Sequence, residues 1–454
     1  MLIKYFYDDE LAQASYLVGC TASGTALVID PARNIQPYLE LAAKHGLSID
    51  KVTETHIHAD FVSGTRELAH ATGATMLLSD EGGEGWRYQF PAGDTIQLLR
   101  DGDQFMVGNI TFDVLHTPGH TPEHITFMVT DNGADHPMGL FTGDFVFVGD
   151  VGRPDLLEEA AGQIGTREVG AQQQFANIER LKQMPDYLQI WPGHGAGSSC
   201  GKALGAIPST TLGYEKLFNP AFQFNNDNAF VAWLLEGQPE APKYFAQMKK
   251  VNKAGAALLS TLHQPQQLDH VSPDMMVIDT RSTDAFAKQH IPNTINIPAN
   301  SSNFSTYAGW YVNFDEPIQL IVATDQLDAV LSSLRAVGVD KVAGYATPSL
   351  VKAYDGTVRS MTPQEIYDAG IKILDVRATT EYHSEHIPNV QQMHMGYVPD
   401  HLADISRDEP LAVHCGGGLR SQIVISILQK AGYENLINMT GGISAWQKAG
   451  LPLE

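Results

Sequence analysis

Histidine and carboxylate side chains recur at the ends of apolar, strand-like runs in the first half of the chain. Lys51-Val52-Thr53 begins one such run, and His56, His58 and Asp60 follow it within a few residues. Three further candidates follow apolar runs and adjoin a glycine that lets the backbone turn tightly: His120, Asp144 and His194. Imidazole and carboxylate groups are common protein ligands of zinc and iron. A lone histidine is usually structural, but this recurrence at strand ends predicts a metal site.

A second kind of chemistry is indicated by Cys415, which follows the strand-like run Leu411–His414 and precedes a glycine-rich loop. The loop consists of Gly416, Gly417, Gly418 and Leu419, and a predicted helix follows it. Backbone N–H groups of such a loop and of the helix N-terminus point at the sulfur and stabilise a thiolate or persulfide anion. Arg420 is expected to add fixed positive charge for an anion such as sulfite or thiosulfate.

Cys200 lies in a loop of small residues, six positions after His194. This spacing predicts that its thiol reaches the metal pocket. One hypothesis is that Cys200 accepts or relays a sulfane sulfur, and the alternative is an inert buried thiol. With only three cysteines, widely spaced, the chain has no disulfide framework to be predicted.

Length and charge limit the possible functions. A chain of 454 residues predicts about two to four domains. Its net charge of −23 disfavours nucleic acid and anionic membrane surfaces as partners, because both carry phosphates that this charge repels. The N-terminus lacks a signal-peptide core, and no apolar run approaches the ~18 residues of a membrane helix. We therefore expect a cytoplasmic protein without a membrane partner, and we also expect a homo-oligomer.

The elements that must position the metal candidates begin with two strands, Tyr16–Cys20 and Ala26–Asp30, joined by a Ser-Gly turn. Helical spacing of apolar residues predicts a helix over Asn34–His45. The strand beginning at Lys51 then delivers His56. Residues 212–254 carry no further motif and are expected to form a helical closing segment and linker.

The rest of the chain contains an internal repeat. Val277–Arg281 and His290–Asn293 recur 96 residues later as Ile373–Arg377 and His386–Asn389. Each copy alternates apolar strands with amphipathic helices, which favours a parallel α/β sheet. No cysteine occurs between positions 200 and 415, so the first copy cannot carry a persulfide. Its expected role is structural, or it docks one active domain against the other.

These motifs resemble two known families. The order H-x-H-x-D, P-G-H-T, T-G-D and P-G-H-G resembles the metallo-β-lactamase superfamily over roughly residues 1–210, which implies an αββα sandwich. The repeat, with its D-x-R and H-I-P-N segments, resembles the rhodanese domain. We therefore expect a multi-domain α/β protein, in which a metallo-β-lactamase domain precedes two rhodanese domains with parallel sheets. The expected bounds are 1–254, 255–357 for the inactive copy and 358–454 for the active one.

Phe61 discriminates within that superfamily. Thioester hydrolases of the glyoxalase II type have a histidine at this position that helps to hold a second metal. A phenyl ring offers no lone pair, so a two-metal hydrolytic site of that design is disfavoured. The resemblance instead implies a persulfide dioxygenase with one Fe(II) per chain, held by His56, His120 and Asp144.

The resemblance also implies supporting roles around that site. His58, Asp60 and His194 are expected to orient ligands or water. Arg153 matches an arginine that contacts the anionic thiol substrate in the relatives. Relatives acting on glutathione persulfide have an aspartate and a tyrosine soon after the equivalent of His194, whereas Gly195–Cys200 follows it here. Coenzyme A or cysteine is therefore an alternative carrier of the sulfur.

Together the two halves predict a persulfide dioxygenase with sulfurtransferase (rhodanese) activity. The first would use O₂ to oxidise low-molecular-weight thiol persulfides to sulfite, and Cys415 persulfide would pass a second sulfur to sulfite, giving thiosulfate. Fusion would raise the local sulfite concentration near Cys415. The same residues could run the flow in reverse, and the sequence leaves its direction open. Two other classes stay open: a zinc-dependent thioester hydrolase with accessory sulfur-binding domains, and a non-catalytic sulfur carrier or sensor.

Overall fold

The structure, a computed structural model, describes residues 1–156, 158 and 165–454. These residues form two compact units. The first unit is Met1–Thr261 with Arg335–Gly338, and the second is Leu262–Leu334 with Val339–Glu454. Within the described ranges, no helix combines the length and apolar character needed to cross a membrane. The three domain bounds predicted from the sequence stay predictions.

The first unit is built on two six-stranded sheets. The first sheet runs in sequence order: β1 (Leu2–Asp8), β2 (Gln13–Cys20), β3 (Thr25–Ile29), β4 (Ser48–Thr53), β5 (Thr75–Ser79) and β6 (Ile96–Leu99). The second runs from β7 (Gln104–Val107) through β8 (Ile110–His116), β9 (Ile125–Thr130), β10 (Gly139–Gly143) and β11 (Gln189–Pro192) to β12 (Thr210–Thr211). The helices are α1 (Gln36–Lys44), α2 (Thr65–Thr72), α3 (Arg167–Lys182), α4 (Leu212–Phe218), α5 (Asp227–Leu235) and α6 (Phe245–Ala254).

The main core of this unit lies between its two sheets. Side chains such as Tyr16 and Leu27 of the first sheet pack against Phe112 and Phe127 of the second, and all four are buried. Burying one such side chain stabilises the fold by about 1.5–3 kcal/mol. Separate apolar clusters join α1 and α2 to the outer face of the first sheet, and α3 and α5 to that of the second. The predicted αββα sandwich is confirmed.

Local sequence signals placed the first elements well. The two predicted strands are β2 and β3, which pair in antiparallel fashion. The predicted helix over Asn34–His45 is α1, which begins and ends slightly inside those bounds. Gly46 follows it with a positive φ of 64°, a conformation that favours glycine. The strand predicted to precede His56 is β4.

The second unit contains two five-stranded sheets whose strands are all parallel. The first has the order β13 (Gln266–Gln267), β17 (Val342–Ala346), β16 (Ile318–Ile321), β14 (Met276–Asp279), β15 (Ile295–Asn296). The second has the order β18 (Arg359–Met361), β22 (Leu436–Met439), β21 (Leu411–His414), β19 (Lys372–Asp375), β20 (Gln391–Gln392). Its helices are α7 (Thr283–Lys288), α8 (Phe304–Tyr311), α9 (Leu327–Ala336), α10 (Pro363–Ala369), α11 (Thr379–Ser384), α12 (Leu419–Lys430) and α13 (Gly442–Lys448). The two orders are the same permutation, so the sequence repeat is also a structural repeat.

The D-x-R motif of each copy has a structural role. Arg281 pairs with Asp279 and Arg377 pairs with Asp375, in each case with a closest distance of 2.6 Å. Each arginine also donates to the backbone carbonyl of the residue that follows the next helix. This residue is Gln289 for Arg281 and Glu385 for Arg377. The motif therefore ties a strand end to the end of the following helix in both copies.

Candidate metal centre and cysteine loop

Three buried side chains of the first unit converge where strands end. His56 follows β4, His120 follows β8, and Asp144 follows β10. Asp144 Oδ2 lies 3.9 Å from His56 Nε2 and 3.5 Å from His120 Nε2. This oxygen is buried and has no hydrogen-bond partner among the described residues. Two imidazole nitrogens and an unpaired carboxylate oxygen, all within 4.8 Å of one another, make a donor set that fits a metal cation.

Hydrogen bonds orient both imidazoles toward this point. Thr55 Oγ1 donates to Asp30 (2.9 Å), so it is free to accept from His56 Nδ1 at 3.0 Å. His120 Nδ1 donates to the backbone carbonyl of Arg153 at 2.9 Å. Each ring therefore keeps its Nε2 lone pair for a metal. Burial also lowers the pKa of His56 and of His120, which favours the neutral form that can act as a ligand.

Asp144 is held from two sides. Its Oδ1 lies 2.7 Å from His194 Nδ1, and its backbone N–H donates to His124 Nε2 at 3.1 Å. Burial raises the pKa of this carboxyl, but the neighbouring His194 outweighs burial and holds the pKa well below its usual range. Gly143 just before it has a φ of 49°, and a side chain there would collide with Thr55. Asp144 is therefore a fixed, ionised carboxylate.

A second group of possible metal ligands adjoins the first. The ligand atoms of Asp60, His194 and Cys200 also lie within 4.8 Å of one another, and all three residues are buried. His194 Nε2 lies 2.7 Å from Asp60 Oδ2, so this imidazole bridges two carboxylates. Burial and both nearby carboxylates raise the pKa of the Cys200 thiol. The structure thus brings Cys200 to the metal pocket as a neutral thiol, and its role stays a prediction.

His58 and Phe61 lie at one side of the pocket. His58 Nε2 donates to Asp30 Oδ1 at 3.0 Å. Burial lowers the pKa of His58, but Asp30 and Glu54 outweigh burial and raise it to about 9. The Phe61 ring is buried and its centroid lies 4.4 Å from that of His58. His58 is therefore an imidazolium paired with a carboxylate, next to an apolar wall.

Arg153 was expected to contact an anionic substrate, but in the structure its guanidinium contacts other protein groups. Its guanidinium is buried and makes a two-point ion pair with Asp155, at 2.8 and 2.6 Å. The remaining nitrogen donates to the carbonyls of Ser199 and Pro239. Its backbone N–H donates to the Cys200 carbonyl at 3.0 Å, and its own carbonyl holds His120. Because protein atoms occupy every guanidinium nitrogen, Arg153 fixes neighbouring loops rather than offering charge to a ligand.

Cys415 has the loop geometry that the sequence predicted. It follows β21 directly, and its sulfur is buried. The backbone N–H of Gly418 donates to Sγ at 3.1 Å. Gly418 has a φ of 111° and precedes the first residue of α12. The loop therefore directs one backbone donor at the sulfur just before the helix N-terminus, an arrangement that favours a thiolate or persulfide.

Arg420 lies beside the cysteine loop in an ion pair with Glu381. Both terminal nitrogens of its guanidinium pair with the carboxylate of Glu381, one of them at 2.8 Å. Burial raises the pKa of Glu381, but the Arg420 partner outweighs burial and lowers it. Glu381 of α11 therefore compensates this charge, and the binding of sulfite or thiosulfate beside Arg420 stays a prediction.

Sequence reasoning missed three residues that organise these sites. Asp30 orients both His58 and Thr55, and the only signal in the sequence is an acidic residue at a strand end. His124 accepts from the Asp144 backbone, and the only signal in the sequence is its place four residues after His120. Glu381 carries no local signal, because its importance depends on a partner far along the chain.

Comparisons with known proteins agree with this architecture. Residues 8–194 match the metallo-beta-lactamase superfamily, and residues 362–449 match the rhodanese-like domain. A hydroxyacylglutathione hydrolase of Methylococcus capsulatus is 33% identical over 179 residues, covering 39% of this chain and 60% of that protein. The matched part thus falls short of two thirds of that relative's length.

Two further matches cover more of the related protein. A hydroxyacylglutathione hydrolase of Pseudomonas entomophila is 32% identical over 215 residues, covering 47% of this chain and 73% of that protein. A crystal structure of a metallo-beta-lactamase from Staphylococcus aureus subsp. aureus COL is 45% identical with a TM-score of 0.71. The match covers 77% of this chain and 99% of the crystallised one.

Proposed function

Because the chain belongs to the metallo-beta-lactamase superfamily and also contains a rhodanese-like domain, we propose that it is a persulfide dioxygenase coupled to a sulfurtransferase. The observation that carries this proposal is the donor set of His56, His120 and Asp144 in one chain with the Cys415 loop. Two imidazoles and one carboxylate are the ligand set of mononuclear non-haem iron oxygenases. The cysteine loop would carry a sulfane sulfur, so both proposed sites would act on the sulfur of a persulfide.

In the proposed reaction, R–S–SH, O₂ and H₂O give R–SH, sulfite and two protons. Bound Fe(II) would supply the redox chemistry with O₂ that zinc lacks. The protein's own part is to hold and orient: His56 and His120 present fixed Nε2 lone pairs, and Asp144 presents one oxygen. The buried ring of Phe61 forms an apolar wall beside these groups. The thiol carrier that we propose is a low-molecular-weight one, such as coenzyme A or cysteine.

The second half-reaction takes place at Cys415. The Cys415 thiolate attacks the outer sulfur of a second thiol persulfide, the S–S bond of that persulfide breaks, and the thiol leaves as R–S⁻. The transferred sulfur is then held as Cys415–S–S⁻, and the backbone N–H of Gly418 lies beside the cysteine sulfur. The sulfur lone pair of sulfite attacks the outer sulfur and forms a new S–S bond. The bond to Cys415 breaks, and its electron pair stays on the cysteine as a thiolate. The products are thiosulfate and free Cys415, with no net oxidation.

A zinc-dependent thioester hydrolase is the second candidate, and two observations favour it. The matched proteins of Methylococcus and Pseudomonas are named hydroxyacylglutathione hydrolases. Asp60, His194 and Cys200 form a second group of possible ligands, as a two-metal site would need. Phe61 opposes this candidate, because it has no donor atom at the position where the hydrolases use a histidine.

A direct activity comparison tests the proposal. We expect the purified protein to consume one O₂ for each coenzyme A or cysteine persulfide oxidised to sulfite, and one further persulfide for each thiosulfate formed. We expect no hydrolysis of acyl-glutathione thioesters. The measurement pairs an oxygen electrode with chromatographic analysis of the sulfur products, and a protein-free sample corrects for the spontaneous reaction of sulfite with persulfide. Thioester hydrolysis without O₂ uptake would support the hydrolase instead.

A further inference from the structure

Helix α8 of the cysteine-less copy packs against the segment that follows β20 in the copy that carries Cys415. Tyr311, at the end of α8, donates its hydroxyl to the carbonyl of Met395 at 2.9 Å. The neighbouring Trp310 ring lies 5.2 Å from the His394 ring, and a side chain at Gly396 would collide with it. This contact fixes α8 against the segment that follows β20.

That segment is linked to the cysteine strand by two backbone hydrogen bonds. Met395 N–H donates to the Val376 carbonyl at 3.1 Å, and Val376 N–H donates to the His414 carbonyl at 3.0 Å. Cys415 is the next residue. The C-terminal end of α8, where Tyr311 lies, is therefore linked through this segment to the strand that precedes Cys415.

Tyr307 lies one helical turn before Tyr311, on the same face of α8. Its side chain is only partly exposed. Burial raises the pKa of its phenol; Arg420 lowers that pKa, and Cys415 and Glu381 raise it. The three groups that act on the hydroxyl are those of the cysteine loop and its ion pair. Tyr307 therefore lies on the face of α8 that Tyr311 anchors to the segment after β20, and its phenol is a neutral O–H donor.

An oxyanion acceptor at this loop needs such a donor. The N–H of Gly418 is directed at the cysteine sulfur, and the charge of Arg420 is compensated by Glu381. Sulfite has two negative charges and three oxygens, so it needs donors beyond those that serve the sulfur. A hydrogen bond from a phenol to a charged oxygen is stronger than one between neutral groups, so its loss should be measurable.

We propose that Tyr307, contributed by the cysteine-less copy, positions the oxyanion acceptor by donating its hydroxyl to a sulfite oxygen as sulfite attacks the outer sulfur of Cys415 persulfide. Bond making and breaking are those given above, and the phenol keeps its proton throughout. This role rests on the proposed sulfurtransferase function and extends it, because it gives the cysteine-less copy a part in substrate selection.

The test is the acceptor preference of Tyr307→Phe. In a double-displacement reaction, kcat/KM for the acceptor reports only the half-reaction in which the acceptor attacks. With thiosulfate as the sulfur donor, we expect kcat/KM for sulfite to fall about tenfold, the loss of one such hydrogen bond. We expect kcat/KM for the neutral thiol 2-mercaptoethanol to change less than about twofold, because this acceptor has no charged oxygen for the phenol to bind and the phenyl ring stays in place. Retained thiol activity also shows that the loop is folded.

Three further variants keep the test decisive. Tyr367→Phe removes an exposed hydroxyl from α10 of the same unit, away from α8 and from the cysteine loop, and we expect it to leave the sulfite-to-thiol ratio unchanged. Tyr307→Gln retains a donor, and we expect it to recover sulfite activity relative to Tyr307→Leu. An unchanged sulfite constant in Tyr307→Phe, or equal losses with both acceptors, overturns the inference alone. A wild-type protein that cannot transfer sulfur to sulfite overturns the proposed sulfurtransferase function and this inference with it.

Discussion

His120→Ala is expected to reduce persulfide-dependent O₂ uptake at least about 100-fold. Replacing a residue that merely supports a metal ligand already costs up to about 100-fold, and His120 is a proposed ligand itself. The side chain is buried, and its Nε2 lies beside the unpaired oxygen of Asp144. Alanine provides no donor atom, so one of three proposed ligands is lost. Oxygen-electrode measurements and metal analysis of the same preparation check this expectation.

A matched histidine serves as the control. His70 lies on α2 of the same unit, and 53% of its side chain is exposed, so His70→Ala should keep both metal and O₂ uptake. Sulfur transfer at Cys415 should persist in both variants, which shows that the chain is folded. Normal O₂ uptake by His120→Ala would rule out this residue as a ligand.

Cys415→Ser is expected to abolish sulfur transfer from thiosulfate, by a factor on the order of 10³ or more, because the hydroxyl of serine cannot carry a sulfane sulfur. The substitution changes only one atom, and the N–H of Gly418 that now faces the sulfur remains in place. O₂ uptake should stay within about twofold of wild type, since the proposed iron ligands are untouched. Persulfide oxidation should then end at sulfite rather than at thiosulfate.

Cys20→Ser is the comparison variant for this experiment. Cys20 is a buried cysteine at the end of β2, outside both proposed sites, and its replacement should leave the ratio of sulfite to thiosulfate unchanged. Enzyme-dependent thiosulfate formation by Cys415→Ser at the wild-type rate would exclude Cys415 as the sulfur carrier.

The fold was predictable where the sequence signal is local or repeated. The β2–β3 hairpin follows from two apolar runs around a turn, and the 96-residue recurrence of D-x-R correctly indicated two sheets of one topology. Strands of two residues, such as β15 and β20, are too short for any periodicity and were not visible. Their pairing depends on the sheet around them.

The candidate metal ligands were predictable because each of them follows a strand and lies in a recognisable motif. Strand ends at the same side of a sandwich meet in space, so these motifs indicate one site. His56, His120 and Asp144 belong to that class. Arg153 and Arg420 do not, because the ion pair that each of them makes depends on a carboxylate that no motif marks. Their partners, Asp155 and Glu381, become evident only in the folded chain.

The metal content of the purified protein, measured by mass spectrometry alongside O₂ uptake with a thiol persulfide, tests the proposed mononuclear iron site most directly. We expect about one iron per chain, as two imidazoles and one carboxylate favour. O₂ uptake should rise in proportion to the iron content across partially loaded preparations. Two zinc ions per chain with no O₂ uptake would contradict the dioxygenase, because the group of Asp60, His194 and Cys200 would then be a second metal site.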